Sequence, residues 1–252
     1  MALVLFGMEL MPDHRRHRGP HPEDEKLFSV DKQLVLRNGT RDLSWLLSRG
    51  YATTSTVKLV GDRYALTERQ RKAVARSACS DSAMSRREGN RIAPSGFSSE
   101  EIWIDGYNVI TSLEAALSGG VILHARDGCY RDMASMHGNY RKVEETIPAI
   151  QLLGDTLADW SVSKCRWLLD RPVSNSGRLK TILTEMAIEN GWPWTVDLVP
   201  DPDVVLKDCN SVVATADSQI LDHCAHAVNL ARMVIDQHVS AAWIVRLDDE
   251  QI

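Results

Sequence analysis

From about Glu101 onward, short apolar runs of strand character alternate with longer helical stretches, and this alternation limits the fold more than any other feature of the chain. The strand-like runs cover residues 102–104, 165–169, 195–199, 212–215 and 242–245. The helical stretches cover about 109–117, 140–158, 177–189 and 218–236. A strand followed by a helix cannot pair with the next strand through a tight hairpin, so such strands lie parallel with helices packed on them. The expected fold class is therefore α/β, a parallel sheet sandwiched by helices. One hairpin is also expected, with residues 121–124 and 129–133 flanking an Asp127-Gly128 turn.

The first 100 residues read differently. Residues 1–27 are expected to form a flexible arm, proline-rich and charged from Met11 on, in which His14, His17 and His21 are solvated. Residues 28–85 have helical periodicity, with stops at Gly50-Tyr51 and Gly61-Asp62, and Thr67 stands as an N-cap for a helix from Glu68. They form a small all-α module. Residues 86–100, rich in Ser, Gly and Pro like the stretch from Asp81 before them, form the expected linker. The α/β domain then occupies residues 101–252.

Charge divides along the same line. Before residue 101 there are 17 basic and 12 acidic residues, and after it 12 basic and 22 acidic, so the halves carry about +5 and −10. Residues 62–91 alone hold eight basic and four acidic side chains. This asymmetry fits one part that attracts an anionic polymer and another that holds a cation. The five cysteines are scattered with no Cys-x-x-Cys pair, which is the pattern of reduced, buried thiols and of no zinc site. No run is long enough to span a bilayer. The apolar opening Met1-Ala2-Leu3-Val4-Leu5-Phe6 has no basic lead-in and no cleavage site, so a cytoplasmic location is the default expectation.

Three strand ends carry an aspartate: Asp105, Asp170 and Asp217. In an open parallel sheet the carboxyl ends of the strands share one rim, where loops and helix N-termini converge on ligands. Any one of these residues is more often a turn former or helix cap than a ligand. Three together repel one another unless a hard cation, Mg²⁺ or Mn²⁺, neutralises them. The loop Arg171-Pro172-Val173-Ser174-Asn175-Ser176-Gly177-Arg178 opens a helix, and its Arg171, Ser174, Asn175, Ser176 and Arg178 suit either a phosphate or a capping turn. His137 and Arg141 open another helix and are candidate phosphate contacts. Asp222-His223 and His226 have a His-x-x-His spacing without an evident third ligand, and Trp192-Pro193-Trp194 is more often a core anchor than a base-stacking platform.

The segment Ile104-Asp105-Gly106-Tyr107-Asn108-Val109-Ile110 resembles the first strand and turn of NYN domains, a branch of the PIN-like nucleases. Val213-Ala214-Thr215-Ala216-Asp217-Ser218 is similar to the later Thr-x-Asp segment of that superfamily, and Leu168-Leu169-Asp170 sits where a further strand-end acid falls. The resemblance implies Asp105, Asp170 and Asp217 as catalytic metal ligands for Mg²⁺ or Mn²⁺ and Asn108 as an orienting residue. Thr215, Ser218 and the loop residues would meet the substrate, which would be RNA. The helical module with Leu46-Leu47-Ser48-Arg49-Gly50-Tyr51, followed by the α/β part, also resembles the uncharacterised prokaryotic domain-of-unknown-function family 434. The expectation is a metal-dependent endoribonuclease, with a homodimer left open. Two alternatives stand beside it: a non-catalytic nucleic-acid-binding protein on a degenerate scaffold, and a small-molecule phosphohydrolase or nucleotide-binding enzyme. A fourth acid is not evident; Asp127, Asp132 and Glu144 are candidates.

Overall fold

The computed structural model describes residues 17–93, 101–133 and 140–248. Five helices precede the first strand: α1 (Asp24–Leu27), α2 (Val30–Ser48), α3 (Thr53–Arg63), α4 (Glu68–Ser77) and α5 (Asp81–Gly89). The α/β part follows as β1 (Glu101–Asp105), α6 (Gly106–Leu117), β2 (Val121–His124), β3 (Tyr130–Asp132), α7 (Thr146–Asp159), β4 (Lys164–Asp170), α8 (Ser176–Asn190) and β5 (Trp194–Val199). It ends with α9 (Pro202–Lys207), β6 (Val212–Ala214), α10 (Ser218–Leu221), β7 (His226–Val228), α11 (Leu230–His238) and β8 (Trp243–Arg246).

The main sheet has the order β5-β4-β1-β6-β7, and all its pairings are parallel. The chain builds outward from β1 to β4 and β5, then crosses back to place β6 on the other side of β1. The strand order therefore reverses between β1 and β6, which is where an open sheet of this kind parts to form a crevice. One face carries the larger core, in which Ile102, Ile104, Trp167, Leu169, Val212 and Ala214 pack against α6, α7, α8 and α11. The opposite face is covered lightly by the short helices α9 and α10 through Leu168, Val213, Leu206 and Ile220. Side chains alternate between these faces along each strand.

The hairpin forms as expected, with β2 and β3 antiparallel and Gly128 at φ +72°, a conformation glycine adopts without cost. It does not join the main sheet. The strand over 242–245 pairs instead with β2, giving a second sheet in the order β3-β2-β8. Val121, Leu123, Val245 and Leu247 of this sheet share a core with Phe28, Leu36, Leu43, Val60 and Val74, so the helical module is docked on it.

Several boundaries differ from the sequence reading. The expected linker begins as helix: α5 runs through Asp81–Gly89, capped by Ser80, whose hydroxyl accepts from the Ala83 N–H, and Arg91 bridges to Ala227 beside β7. Residues 17–27 of the expected arm are anchored, since Asp24 is buried and receives Nη2 of Arg69 at 2.7 Å, while Arg18 reaches the buried Glu114; residues 1–16 lie outside the described residues. The break expected at Gly61 comes only after Arg63, because the Arg71 guanidinium packs over Gly61 and bonds the Leu66 carbonyl, holding α3 to its end. The stretch read as one helix over 218–236 is α10, β7 and α11; a three-residue strand inside a helical pattern has no period of its own. The helix expected from Tyr140 starts at Thr146.

Part of the cationic charge of the helical module is engaged inside the fold. Arg71 pairs with Asp62 at 2.8 Å, Arg86 with Asp222 at 2.9 Å, and Arg87 is buried between Asp127 and Asp222, 2.7 Å from each. Arg86 and Arg87 thereby tie the helical module to the α/β part. The other expectations that bear on packing hold: Thr67 caps α4 in a reciprocal box with Gln70, all five cysteines are free and buried, and Trp192 packs over Gly154 and stacks on Trp194 at 4.5 Å. Among the described residues no helix is long and apolar enough to cross a membrane.

Candidate functional site

Parallel pairing fixes where the strand-end acids lie. Asp105 is in register with Leu168, so Asp170 stands two residues further along β4 on the same pleated face, roughly 8 Å from Asp105 between Cα atoms by strand geometry. That face is the one covered by α9. Ile104 pairs with Ala214, which brings Thr215 level with Asp105 across the crevice, and the Thr215 hydroxyl donates to Asp105 Oδ2 at 2.8 Å. The Asp217 N–H donates to the same hydroxyl at 3.0 Å, while Asp217 Oδ1 caps α10 by accepting from the Gln219 and Ile220 N–H groups. Asn108 accepts the Ala216 N–H through Oδ1 at 2.8 Å. It positions the β6–α10 turn.

Gly106 makes this close assembly possible. A Cβ there would lie 2.5 Å from the Leu169 side chain and 2.9 Å from the Leu168 carbonyl, so only glycine lets α6 leave β1 this close to β4. Asp105 is 7% exposed. Burial pushes its carboxyl up to about 7; the Thr215 hydrogen bond acts against this, and the charges of Asp217, Asp203 and Asp170 add to the rise. Burial also raises Asp170, with Asp201 adding to it, and raises Asp203, with Asp217, Asp201 and Asp170 adding. The Tyr107 hydroxyl is buried without a hydrogen-bond partner among the described residues, and burial and the charge of Asp170 both raise it.

Asp203 is the acid that sequence reasoning missed. It lies in the first turn of α9, which starts directly after β5 with Asp201 as N-cap and Pro202 in the first turn. The signal was present in Val199-Pro200-Asp201-Pro202-Asp203, where an Asp-Pro start at a strand end announces a helix on the same rim. The candidates considered for a fourth acid lie elsewhere. Asp127 is buried between Arg87 and Arg131, Asp132 accepts from Ser112 on β3, and Glu144 faces His17. The rim thus gathers Asp105, Asp170, Asp203 and Asp217, although among the described residues no three carboxylate, histidine or cysteine side chains form a preformed metal-binding group.

The remaining predicted residues divide into two sets. Arg171 donates to the Leu198 carbonyl, Ser176 donates to the Arg171 carbonyl, and the Ser176 N–H meets the Val173 carbonyl, so this half of the loop is held by bonds to backbone carbonyls, and no side chain caps α8. Ser174 lies exposed within that turn, and Ser218 opens α10 with its carbonyl accepting from Arg87. Arg141, Asn175 and Arg178 instead meet around a separate cleft of about 150 Å³, together with Tyr140 and Lys142. Among the described residues no carboxylate lines it. His137 lies outside the described residues. His223 bonds the Gln219 carbonyl within its own turn, while His226 lies exposed on β7, so the pair sits on different elements.

The architecture and rim define the class: an α/β protein with an acidic crevice at the point where a parallel sheet reverses its strand order, joined to a helical module. The chain belongs to the family described as Domain of unknown function (DUF5616), which matches residues 94–233. Residues 35–89 match Protein of unknown function (DUF434), so the resemblance expected over nearly the whole chain is confined to the helical module. The chain is similar to the uncharacterized protein MJ0935 of Methanocaldococcus jannaschii, 30% identical over 205 residues, covering 81% of this chain and 98% of the relative. No solved structure matches it.

Proposed function

We propose that the chain is a divalent-cation-dependent phosphodiesterase acting on RNA, with its reaction centre at the acidic crevice. The observation that carries this reading is the placement of Asp105, buried at the switch point and bonded to Thr215, on one rim with Asp170, Asp203 and Asp217, whose charges help to raise its carboxyl. Clustered carboxyls of this kind are costly without a counter-charge, and an all-oxygen donor set suits Mg²⁺ or Mn²⁺. Asp105, Asp170 and Asp203 would hold such an ion, Asp170 and Asp203 being partly exposed and able to turn toward Asp105. Asp217 would contribute Oδ2, since Oδ1 caps α10. When bound, the cation supplies an activated water and charge stabilisation on the phosphate. Thr215 and Asn108 keep the two sides of the crevice in place. The similarity of the Asp105 and Asp217 segments to NYN domains of the PIN-like nucleases supports RNA as the polymer.

The test is a titration of Mg²⁺ and Mn²⁺ read by thermal shift and by cleavage of single-stranded and structured RNA, for the wild type, Asp105→Asn and Asp203→Asn. Stabilisation by either metal and cleavage in the wild type, both lost in each variant, are expected. A second reading, a non-catalytic RNA-binding protein, is favoured by the commitment of Asp217 Oδ1 to capping. It predicts RNA binding with no cleavage in any metal.

A further inference from the structure

The geometry points to a second site, a pocket for a phosphate monoester formed by Arg141, Lys142 and Arg178 at the start of α8. None of the rim acids lines it, and it holds whether or not the acidic crevice is catalytic. Many cations elsewhere among the described residues are paired: Arg69, Arg71, Arg87, Arg131 and Arg166 each meet a carboxylate. Around this cleft the pattern reverses, because none of its three cations has an ion pair among the described residues and no carboxylate lines the space. The nearest acids in sequence, Glu144 and Glu145, face His17. Three uncompensated cations in a domain that is acidic as a whole form a local positive field, which selects an anion.

The backbone beneath these side chains is held in place before any ligand arrives. Asn175 has a left-handed conformation at φ +66°, and its Nδ2 donates to the Tyr140 carbonyl at 2.8 Å, tying the segment that bears Arg141 and Lys142 to the start of α8. Arg18 donates to the Arg141 carbonyl from the other side, at 3.3 Å. The 15-residue helix α8 begins without a side-chain cap, so its dipole adds to the positive field. Size and charge then choose the ligand. A cleft of about 150 Å³ is below the 300 Å³ or so at which small-molecule pockets begin, so it takes a group and not a whole nucleotide. Three cations match a phosphomonoester, which carries about −1.5 to −2 at neutral pH, better than a backbone diester with a single charge. Such a group is carried by the end of a polynucleotide or by a small phosphorylated molecule.

The experiment uses the full chain in metal-free buffer, so the outcome is independent of cleavage. Inorganic phosphate at constant ionic strength should raise the melting temperature where chloride does not. Arg141→Gln/Arg178→Gln removes two exposed charges, so it should keep the wild-type melting temperature without phosphate and lose about ten-fold or more in phosphate affinity. Lys142→Gln, measured alongside, should lose affinity in the same direction. Short RNA with a 5′-phosphate, the same RNA with a 5′-hydroxyl, and ribose 5-phosphate then identify the source. A preference of about ten-fold for the phosphorylated RNA assigns a polynucleotide end, and binding of ribose 5-phosphate without that preference assigns a small molecule; either outcome supports the pocket. Stabilisation by phosphate no greater than by chloride, or phosphate affinity unchanged in the variants, overturns it.

Discussion

The Thr215 hydroxyl donates a 2.8 Å hydrogen bond to Asp105 Oδ2 across the boundary between β6 and β1. It is the one direct side-chain link between the two halves of the sheet at their point of reversal that involves a rim acid among the described residues, and it favours the charged form of a carboxyl that burial and three neighbouring aspartates disfavour. Thr215→Val keeps the shape and deletes the donor. It is expected to cost about 1.5–3 kcal/mol near neutral pH, where Asp105 is partly ionised, and less at pH 4.5, where the bond from the Asp217 N–H is still lost but the carboxylate is protonated. Urea denaturation of the variant and wild type at the two pH values checks this.

Asp105 also sets a pH dependence. Its folded carboxyl is raised to about 7 against an ordinary value of 3.8, so the folded state binds the proton more tightly than the unfolded chain. The group's contribution is therefore fully present below about pH 4 and is lost as pH rises through about 7, by a few kcal/mol without a cation. Asp105→Asn should flatten this part of the stability–pH curve. In the wild type, stabilisation by Mn²⁺ should grow over the same interval, because metal and proton compete for one carboxylate. Thermal melts from pH 4.5 to 8 with and without Mn²⁺ measure both effects.

Gly106→Ala should disturb the crevice more than its single methyl suggests. The added Cβ meets the Leu168 carbonyl at 2.9 Å, and backbone cannot swing aside as a side chain can. A loss of about 1–3 kcal/mol is expected, with metal stabilisation falling together with it as Asp105 is displaced. Denaturation midpoints and a Mn²⁺ titration of the variant give the two readouts.

The joint between helical module and α/β part rests on Asp127, which accepts from Arg87 and Arg131, and on Asp222, which accepts from Arg86 and Arg87. The two arginines hold the Asp127 carboxyl far below the usual carboxylate range in spite of its burial. Asp127→Ala leaves the buried Arg131 guanidinium without its carboxylate and takes one of two carboxylates from Arg87, and should cost about 3–5 kcal/mol. Arg87→Ala leaves Asp127 with Arg131 and should cost less. The order of the two denaturation midpoints tests the assignment, and equal midpoints would contradict it. Because Asp127 gains stability from being ionised when folded, its contribution is present above about pH 4 and is lost on acidification, opposite in sign to that of Asp105.

Periodicity and turn chemistry carried most of the architecture. The alternation after Glu101, the Asp127-Gly128 hairpin and the Thr67 cap are local patterns, each decided by residues a few positions apart, and each is found where the sequence places it. The positions of Asp105, Asp170 and Asp217 on one rim followed from parallel strands alone, because every parallel strand ends at the same edge. Local pattern could not reveal β7, which is too short to show a period, or the second sheet that β8 joins. Nor could it tell which arginines of the helical module are paired. A charge run looks the same in sequence whether it faces solvent or pairs inside the fold, and only packing brought Arg69 to Asp24 and Arg87 to Asp127 and Asp222. The fourth acid, Asp203, and the gathering of Arg141, Lys142 and Arg178 around one cleft were decided in the same way. Chain segments 30 or more residues apart met there because the crossovers of the sheet carried them to one edge. Sequence by itself determines elements and the faces they bury; which charges end as neighbours depends on the long-range packing of those elements.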